Sequence, residues 1–283
     1  MQYDRVPLSP VGSPASLSSP SPRLAPPSRF SGGDSSGGLP SPATAKSCMS
    51  AAAKRYKYLR RLFHFRQMDF EFAFWQMVYL MSAPQHVYRN FQYRKQTKLQ
   101  FARDDPAFLV LLAGWLVVSS AGFALVLNIG LGEFVKFLLY VIFVDCIGVG
   151  LVVATLLWLL SNKYLLKPAY RELDVEWGFA FDVHLNAFFP LLVILHFIQL
   201  FFYHLIIGRD LWVATCFGNT LWLIALGYYV YITFLGYNSL NILQRTQVFL
   251  YPMVPLVLFY GMTLLTNWNL SQSLMFFYHY RVL

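Results

Sequence analysis

Residues 171–203 read RELDVEWGFAFDVHLNAFFPLLVILHFIQLFFY. The stretch opens on acids, Glu172, Asp174, Glu176 and Asp182, and passes His184 and Asn186. It then runs without a break into the apolar segment Phe188 to Ile207. About 20 predominantly apolar residues suffice for a helix to cross the hydrocarbon of a bilayer. Inside the segment, His196, Gln199 and Tyr203 recur at i, i+3 and i+7, so a helix places them on one face. Polar groups are costly in hydrocarbon and turn towards protein or water. The stretch is therefore a membrane span with a polar side, where two parts of the protein meet.

The rest of the chain agrees. It is 57% hydrophobic and only 12% charged, with a mean hydropathy of +0.48, against roughly 25% charged residues in a soluble domain. Four further apolar runs have the length of a span or nearly so: Ala107 to Leu127, Phe137 to Leu160, Leu211 to Leu235 and Val248 to Leu265. The pattern predicts an all-α polytopic membrane protein with about five transmembrane helices at 107–265. Asp104-Asp105-Pro106 starts the first of them, and Pro252 and Pro255 fall in the opening turns of the last. Gly150 and Ala154 have the small-xxx-small spacing that lets helices approach closely. Of Cys48, Cys146 and Cys216, none has metal-ligand spacing, and the last two read as small core residues.

Outside the spans the composition changes twice. Residues 1–53 are rich in Ser, Pro, Gly and Ala and read as a disordered tail, too poor in apolar surface to fold alone. No basic n-region followed by an apolar h-region is visible, so the first span is expected to direct insertion. Residues 54–106 form a basic amphipathic region. Phe65, Met68, Phe72, Trp75 and Tyr79 recur at 3, 4, 3 and 4, one stripe of a helix, with Arg66, Asp69 and Gln76 off it and Lys54, Arg55, Lys57, Arg60 and Arg61 ahead of it. Such a helix suits either an anionic membrane surface or the cytosolic ends of the spans. Residues 266–283 read as a short tail. The positive-inside rule puts the Lys- and Arg-rich segment from Lys54 to Arg103, and the 161–187 loop with Lys163, Lys167 and Arg171, in the cytosol. Five spans then leave the C-terminus lumenal.

Three constellations could carry chemistry. Glu176, Asp182, His184 and Asn186 admit a metal or acid–base reading, because a carboxylate beside a histidine tunes the imidazole. They equally admit a polar cluster that caps the third span. Asp145, His196, Gln199 and Asn219 could line an intramembrane polar face, or fix helix packing through a buried hydrogen-bond network. The surface of Arg60, Arg61, Arg66, Phe65, Phe72 and Trp75 could meet lipid, a protein partner, or RNA through alternating cations and aromatics. The sequence carries neither a nucleotide-binding loop nor a catalytic or cofactor motif.

Four segments resemble the uncoordinated-50 family of multi-pass Golgi membrane proteins: KRYKYLRRLFHFRQMDFEFAFWQM at 54–77, YRNFQYRKQTKLQFARDDPAFLVLL at 88–112, DVEWGFAFDVHLNAFFPLLVILHFIQLFF at 174–202 and GNTLWLIALGYYVYITFLGY at 218–237. The likeness runs from about Ala53 to the C-terminus and leaves out the Ser/Pro-rich start. The resemblance implies a non-enzymatic factor of early secretory traffic. Its implied partners are large Arf guanine-nucleotide exchange factors and, in surface delivery, nicotinic acetylcholine receptors. An inner nuclear membrane location and RNA binding are also attributed to the family. It implies no catalytic residues, metal or cofactor. A transporter or lipid-handling protein built on the polar face, and an intramembrane enzyme built on Asp182 and His184, are the competing classes. An odd number of spans argues against paired transporter halves.

Overall fold

The computed structural model describes residues 65–95, 105–170 and 172–282. The Ser/Pro-rich segment 1–53 and the basic lead with Arg60 and Arg61 lie outside the described residues, as do Lys98, Arg103 and Arg171. Among the described residues the architecture is helical, with strand pairing confined to one isolated bridge between Leu166 and Leu243. Two short helices come first, α1 (Phe70–Ser82) and α2 (Pro84–Lys95). Five helices long and apolar enough to cross a membrane follow: α3 (Ala107–Leu127), α4 (Leu131–Leu165), α5 (Trp177–Ile207), α6 (Trp212–Asn238) and α7 (Thr246–Leu265). A last helix, α8 (Leu270–Val282), closes the chain.

Local chemistry sets these boundaries. Asp69 caps α1 by accepting a hydrogen bond from the Phe72 amide at 2.9 Å. Its own amide donates to Asp105 Oδ2, and Asp105 Oδ1 accepts from the Ala107 amide, so one carboxylate joins the starts of α1 and α3. Pro84 lacks an amide proton and cannot continue α1, which explains the break into two helices. Asn128 ends α3 in the left-handed region at φ 51°, a conformation Asn tolerates.

Two spans depart from their expected bounds. The third begins at Trp177 rather than Phe188, with Glu176 at its N-cap position, so much of the expected 161–187 loop is helix. Trp177, Phe179, Ala180, Val183 and Leu185 continue the apolar character, and Asp182 lowers hydropathy without breaking a helix whose first turns meet the membrane surface. The second span begins at Leu131, where Glu133 Oε2 accepts from the Gly130 amide, and runs on to Leu165. The expected C-terminal tail forms α8, with Met275 and Tyr278 buried against the bundle.

α5 is the central helix, packed between α4 and α6. Two glycines allow these close approaches. A Cβ on Gly150 of α4 would lie 2.5 Å from the His184 ring, and one on Gly236 of α6 would lie 2.8 Å from Val183. Ala154, one turn beyond Gly150, is fully buried. α1 rests on α3 and α5, and α2 on α6, at the end of the bundle that carries Lys163 and Lys167. We call this the basic end and the opposite one the far end. α4 and α5 each carry wide π-helical turns, at Val141–Gly148 and Ser161–Leu165 in α4 and at Ile194–Ile198 and Tyr203–Ile207 in α5. Such turns recur at functional positions, and Asp145 and His196 each sit in one.

Candidate functional site

Three levels of the bundle hold the polar side chains picked out in the sequence. At the basic end, α1 turns Ala73, Gln76, Met77 and Leu80 into the protein. Gln76 Nε2 donates to Asn186 Oδ1 at 3.2 Å, and Asn186 Nδ2 donates to the Tyr88 hydroxyl of α2 at 3.3 Å. All three side chains are buried, so α1, α2 and α5 are tied by hydrogen bonds that water does not reach. Around them, the Tyr228 hydroxyl donates to Met81 O and Gln85 Nε2 to the Tyr231 hydroxyl. His184 lies beside this network, with Nδ1 2.7 Å from the Tyr229 hydroxyl and Nε2 3.2 Å from Cys146 O.

This arrangement revises the expected cluster of Glu176, Asp182, His184 and Asn186. Residues two apart on a helix point about 160° away from each other, so His184 faces away from the side that Asp182 and Asn186 share as an i, i+4 pair. His184 faces α4 and α6, whereas Asn186 faces α1 and α2. Glu176 stands at the helix start. Among the described residues, no group of three or more His, Cys, Asp and Glu side chains is placed to hold a metal ion. Ahead of α5, Glu172 and Asp174 are exposed, and Val175 anchors the loop through its carbonyl, which accepts from Trp158 Nε1 and Asn162 Nδ2.

The aromatic stripe is also placed differently from the simplest expectation. Phe72, Trp75 and Tyr79 stack along one flank of α1 and are half-buried, not the docked face. Phe74 and Val78 are exposed on the other flank, and Phe65 is exposed ahead of the helix beside Arg66. α1 is thus apolar on its docked face and on both flanks, with Glu71 and Ser82 on a narrow exposed edge. A helix of this kind suits a bilayer surface as well as a dock on the ends of the spans.

Deeper in the bundle, Asp145, His196, Gln199 and Asn219 do not form one face. Asp145 Oδ2 accepts from the Tyr278 hydroxyl of α8 at 2.8 Å. His196 meets Ser119 of α3 at 3.3 Å and packs its ring edge-on to Phe123. Gln199 is fully buried, and neither of its amide atoms has a hydrogen-bond partner among the described residues. Asn219 sits at the far end, where Nδ2 donates to Thr263 Oγ1 and Trp268 O and Oδ1 accepts from the Leu270 amide. Asn269 Nδ2 and Gln272 Nε2 both donate to Ile207 O, so a polar girdle joins α5, α6, α7 and α8 there.

Sequence reasoning missed Tyr88, Tyr229 and Tyr278, whose roles depend on long-range partners, and set Gln76 aside as lying off the aromatic stripe. One signal for Gln76 was available: it is the polar member of the set Ala73, Gln76, Met77 and Leu80, at helical spacing.

The family model described as the UNC-50 family matches residues 58–279. The chain belongs to the UNC-50 family. It is 63% identical over 233 residues to the protein unc-50 homolog of Homo sapiens, covering 82% of this chain and 90% of that protein. It is 64% identical over 233 residues to the homolog of Rattus norvegicus, again 82% of this chain and 90% of that protein. The homolog of Drosophila melanogaster is 55% identical over 245 residues, 86% of this chain and 89% of the relative. No solved structure matches the chain. The family match takes in α1 to α7, the basic-end network and the far-end girdle, and ends within α8.

Proposed function

We propose that this UNC-50 family chain is a non-enzymatic membrane scaffold of the Golgi. Its basic end faces the cytosol and supports recruitment of a large Arf guanine-nucleotide exchange factor, and through it protein transport that includes surface delivery of nicotinic acetylcholine receptors. The observation that carries this reading is the buried Gln76–Asn186–Tyr88 network, which fixes two non-spanning helices to the spans as a platform. A helix that only helped insertion would not need buried hydrogen bonds to α5. The family resemblance supplies the class of partner and the compartment.

On this reading the flanks of α1 turn to lipid, and the polar ground left to a peripheral factor is Arg66, the exposed Gln85, His86 and Arg89 of α2, and the loop with Glu172 and Asp174. Arg89 Nη2 lies 3.0 Å from His86 Nδ1, which holds the guanidinium along the helix. Arg60 and Arg61 lie outside the described residues and precede Arg66 in the sequence. The test is the Golgi fraction of the exchange factor in cells lacking the endogenous protein and rescued with Arg60→Ala/Arg61→Ala/Arg66→Ala. Recruitment falls while the spans insert normally. Full recruitment by a well-expressed triple mutant rejects this surface.

A further inference from the structure

The apolar runs of the five spans hold a single Asp, Glu, Lys or Arg between them, Asp145. It stands in the π-helical turn Val141–Gly148 of α4, eight residues on from Phe137, where the run begins at its far end. That is a depth of about 10 Å at helical rise. One carboxylate oxygen is engaged, since Oδ2 accepts from the Tyr278 hydroxyl at 2.8 Å. Oδ1 has no hydrogen-bond partner among the described residues. It is not sealed by the packing either, because Asp145 is only half-buried.

The side of α4 beside it is open. Leu139, Phe143 and Val144 are exposed. Gly148, three residues on from Asp145, is its neighbour on the helix surface. Only Phe143 O of the same helix comes within 4 Å of where a Gly148 Cβ would sit, so no other helix stands over it. Small residues on such a surface let a second helix approach closely. An ionisable group inside hydrocarbon is costly until it is paired, and an acid with one oxygen to spare calls for a cation.

Depth and charge decide what can supply one. Lipid ammonium groups stay at the membrane–water boundary, about 10 Å short of Asp145. A second copy of this chain has no Lys or Arg in any of its five runs. Its exposed span histidine, His204, stands three residues from the far end of α5 at Ile207, above the level of Asp145. What remains is a Lys or Arg within a transmembrane helix of another protein. Such a residue is as costly in hydrocarbon as the aspartate, and pairing relieves both. We propose that the outward face of α4 binds a transmembrane helix of another membrane protein through one Lys or Arg in the far-end leaflet. The cation donates to Asp145 Oδ1 while Tyr278 holds Oδ2, and the helix lies along Phe143, Val144 and Gly148. The site stands apart from the exchange-factor platform at the basic end, and its test does not depend on that reading.

The experiment places the full chain, carrying a fluorescent donor, in phosphatidylcholine nanodiscs. Acceptor-labelled Leu/Ala helices of about 24 residues, with one Lys about eight residues from an end, are added and association is read by energy transfer. The Lys helix is expected to associate about 3- to 30-fold more tightly than the same helix with Leu in that place, the range of interhelical polar contacts in membranes. Asp145→Asn keeps an acceptor for Tyr278 but loses the charge, and it abolishes the preference. Gly148→Phe covers the approach and weakens binding of the Lys helix; should it fail to fold, Asp145→Asn decides alone. Equal association of the Lys and Leu helices overturns the proposal, as does a preference that survives Asp145→Asn. Loss of the preference when phosphatidylethanolamine replaces phosphatidylcholine overturns it too, giving the carboxylate to a lipid amine. The Arg281 side chain lies outside the described residues. Tighter binding of the Lys helix in Arg281→Gln would assign Asp145 to the chain's own arginine and likewise overturn the proposal.

Discussion

Asn186→Ala is the sharpest test of how α1 is held. Asn186 accepts from Gln76 Nε2 at 3.2 Å, and Gln76 is 6% exposed, so its amide cannot turn to water while α1 stays docked. Removing the acceptor strands a buried donor, which costs about 1–3 kcal/mol, and the missing amide adds a small cavity. Against this, burial of Met77 and Leu80 holds the dock at about 1.5–3 kcal/mol for each side chain. The loss is thus a large fraction of the docking energy yet leaves the spans untouched. Undocking becomes about 5- to 150-fold more frequent, the range that 1–3 kcal/mol gives. The assay is amide hydrogen exchange of Phe72–Leu80 in nanodiscs, with α5 and α6 as internal references. The triple change Gln76→Leu/Asn186→Leu/Tyr88→Phe removes all three members of the network together and recovers most of the protection lost in Asn186→Ala. Exchange in Asn186→Ala indistinguishable from the unaltered chain refutes the reasoning, and so does a triple mutant that exchanges faster than the single.

Further outcomes follow from the same structure. With the basic end cytosolic, an epitope after Leu283 resists protease in sealed vesicles while one before Met1 is digested; digestion of both contradicts an odd number of spans. Asn269-Leu270-Ser271 is a glycosylation sequon, but Asn269 is 7% exposed, its Nδ2 donates to Ile207 O, and Ser271 is fully buried. Glycosidase treatment is therefore expected to produce no mobility shift, and a shift would show that the far-end girdle opens. Asp145→Asn keeps an oxygen to accept from Tyr278 and costs little, whereas Tyr278→Phe strands the carboxyl group and lowers thermal stability by about 1–3 kcal/mol. Equal melting of the two variants in detergent would remove Tyr278 as the partner that matters.

Much of this fold is legible in the sequence, because hydrocarbon demands long apolar runs and the five spans supply them. What hydropathy misreads are the ends. Asp182 and the flanking acids suggest a loop, yet Trp177 to Ala187 is helix, since a terminal turn at the membrane surface tolerates charge. The inward turn of His196 and Gln199 is likewise readable, because their spacing places them on one side and both are buried. Their partners are not readable. Asp145 finds Tyr278 across 133 residues and Asn186 finds Tyr88 across 98, and no local pattern encodes those meetings. The aromatic stripe of α1 misleads for a different reason: with three apolar sides, periodicity does not say which one the protein takes.

The spans also differ in length. The apolar run of the lipid-exposed α4, Phe137 to Leu160, has 24 residues and α7 has 20, about 36 Å and 30 Å at 1.5 Å per residue. α7 matches the roughly 30 Å hydrocarbon of an ordinary bilayer, whereas α4 exceeds it. The molecule thus lacks a single hydrophobic thickness, and its girth is taller on one side than on the other. A bilayer that wets both sides must thin or thicken around it, at a fraction of a kcal/mol per Å of mismatch. That lopsided girth makes the protein sensitive to bilayer thickness, and neighbours of similar profile relieve the deformation by settling beside the matching side.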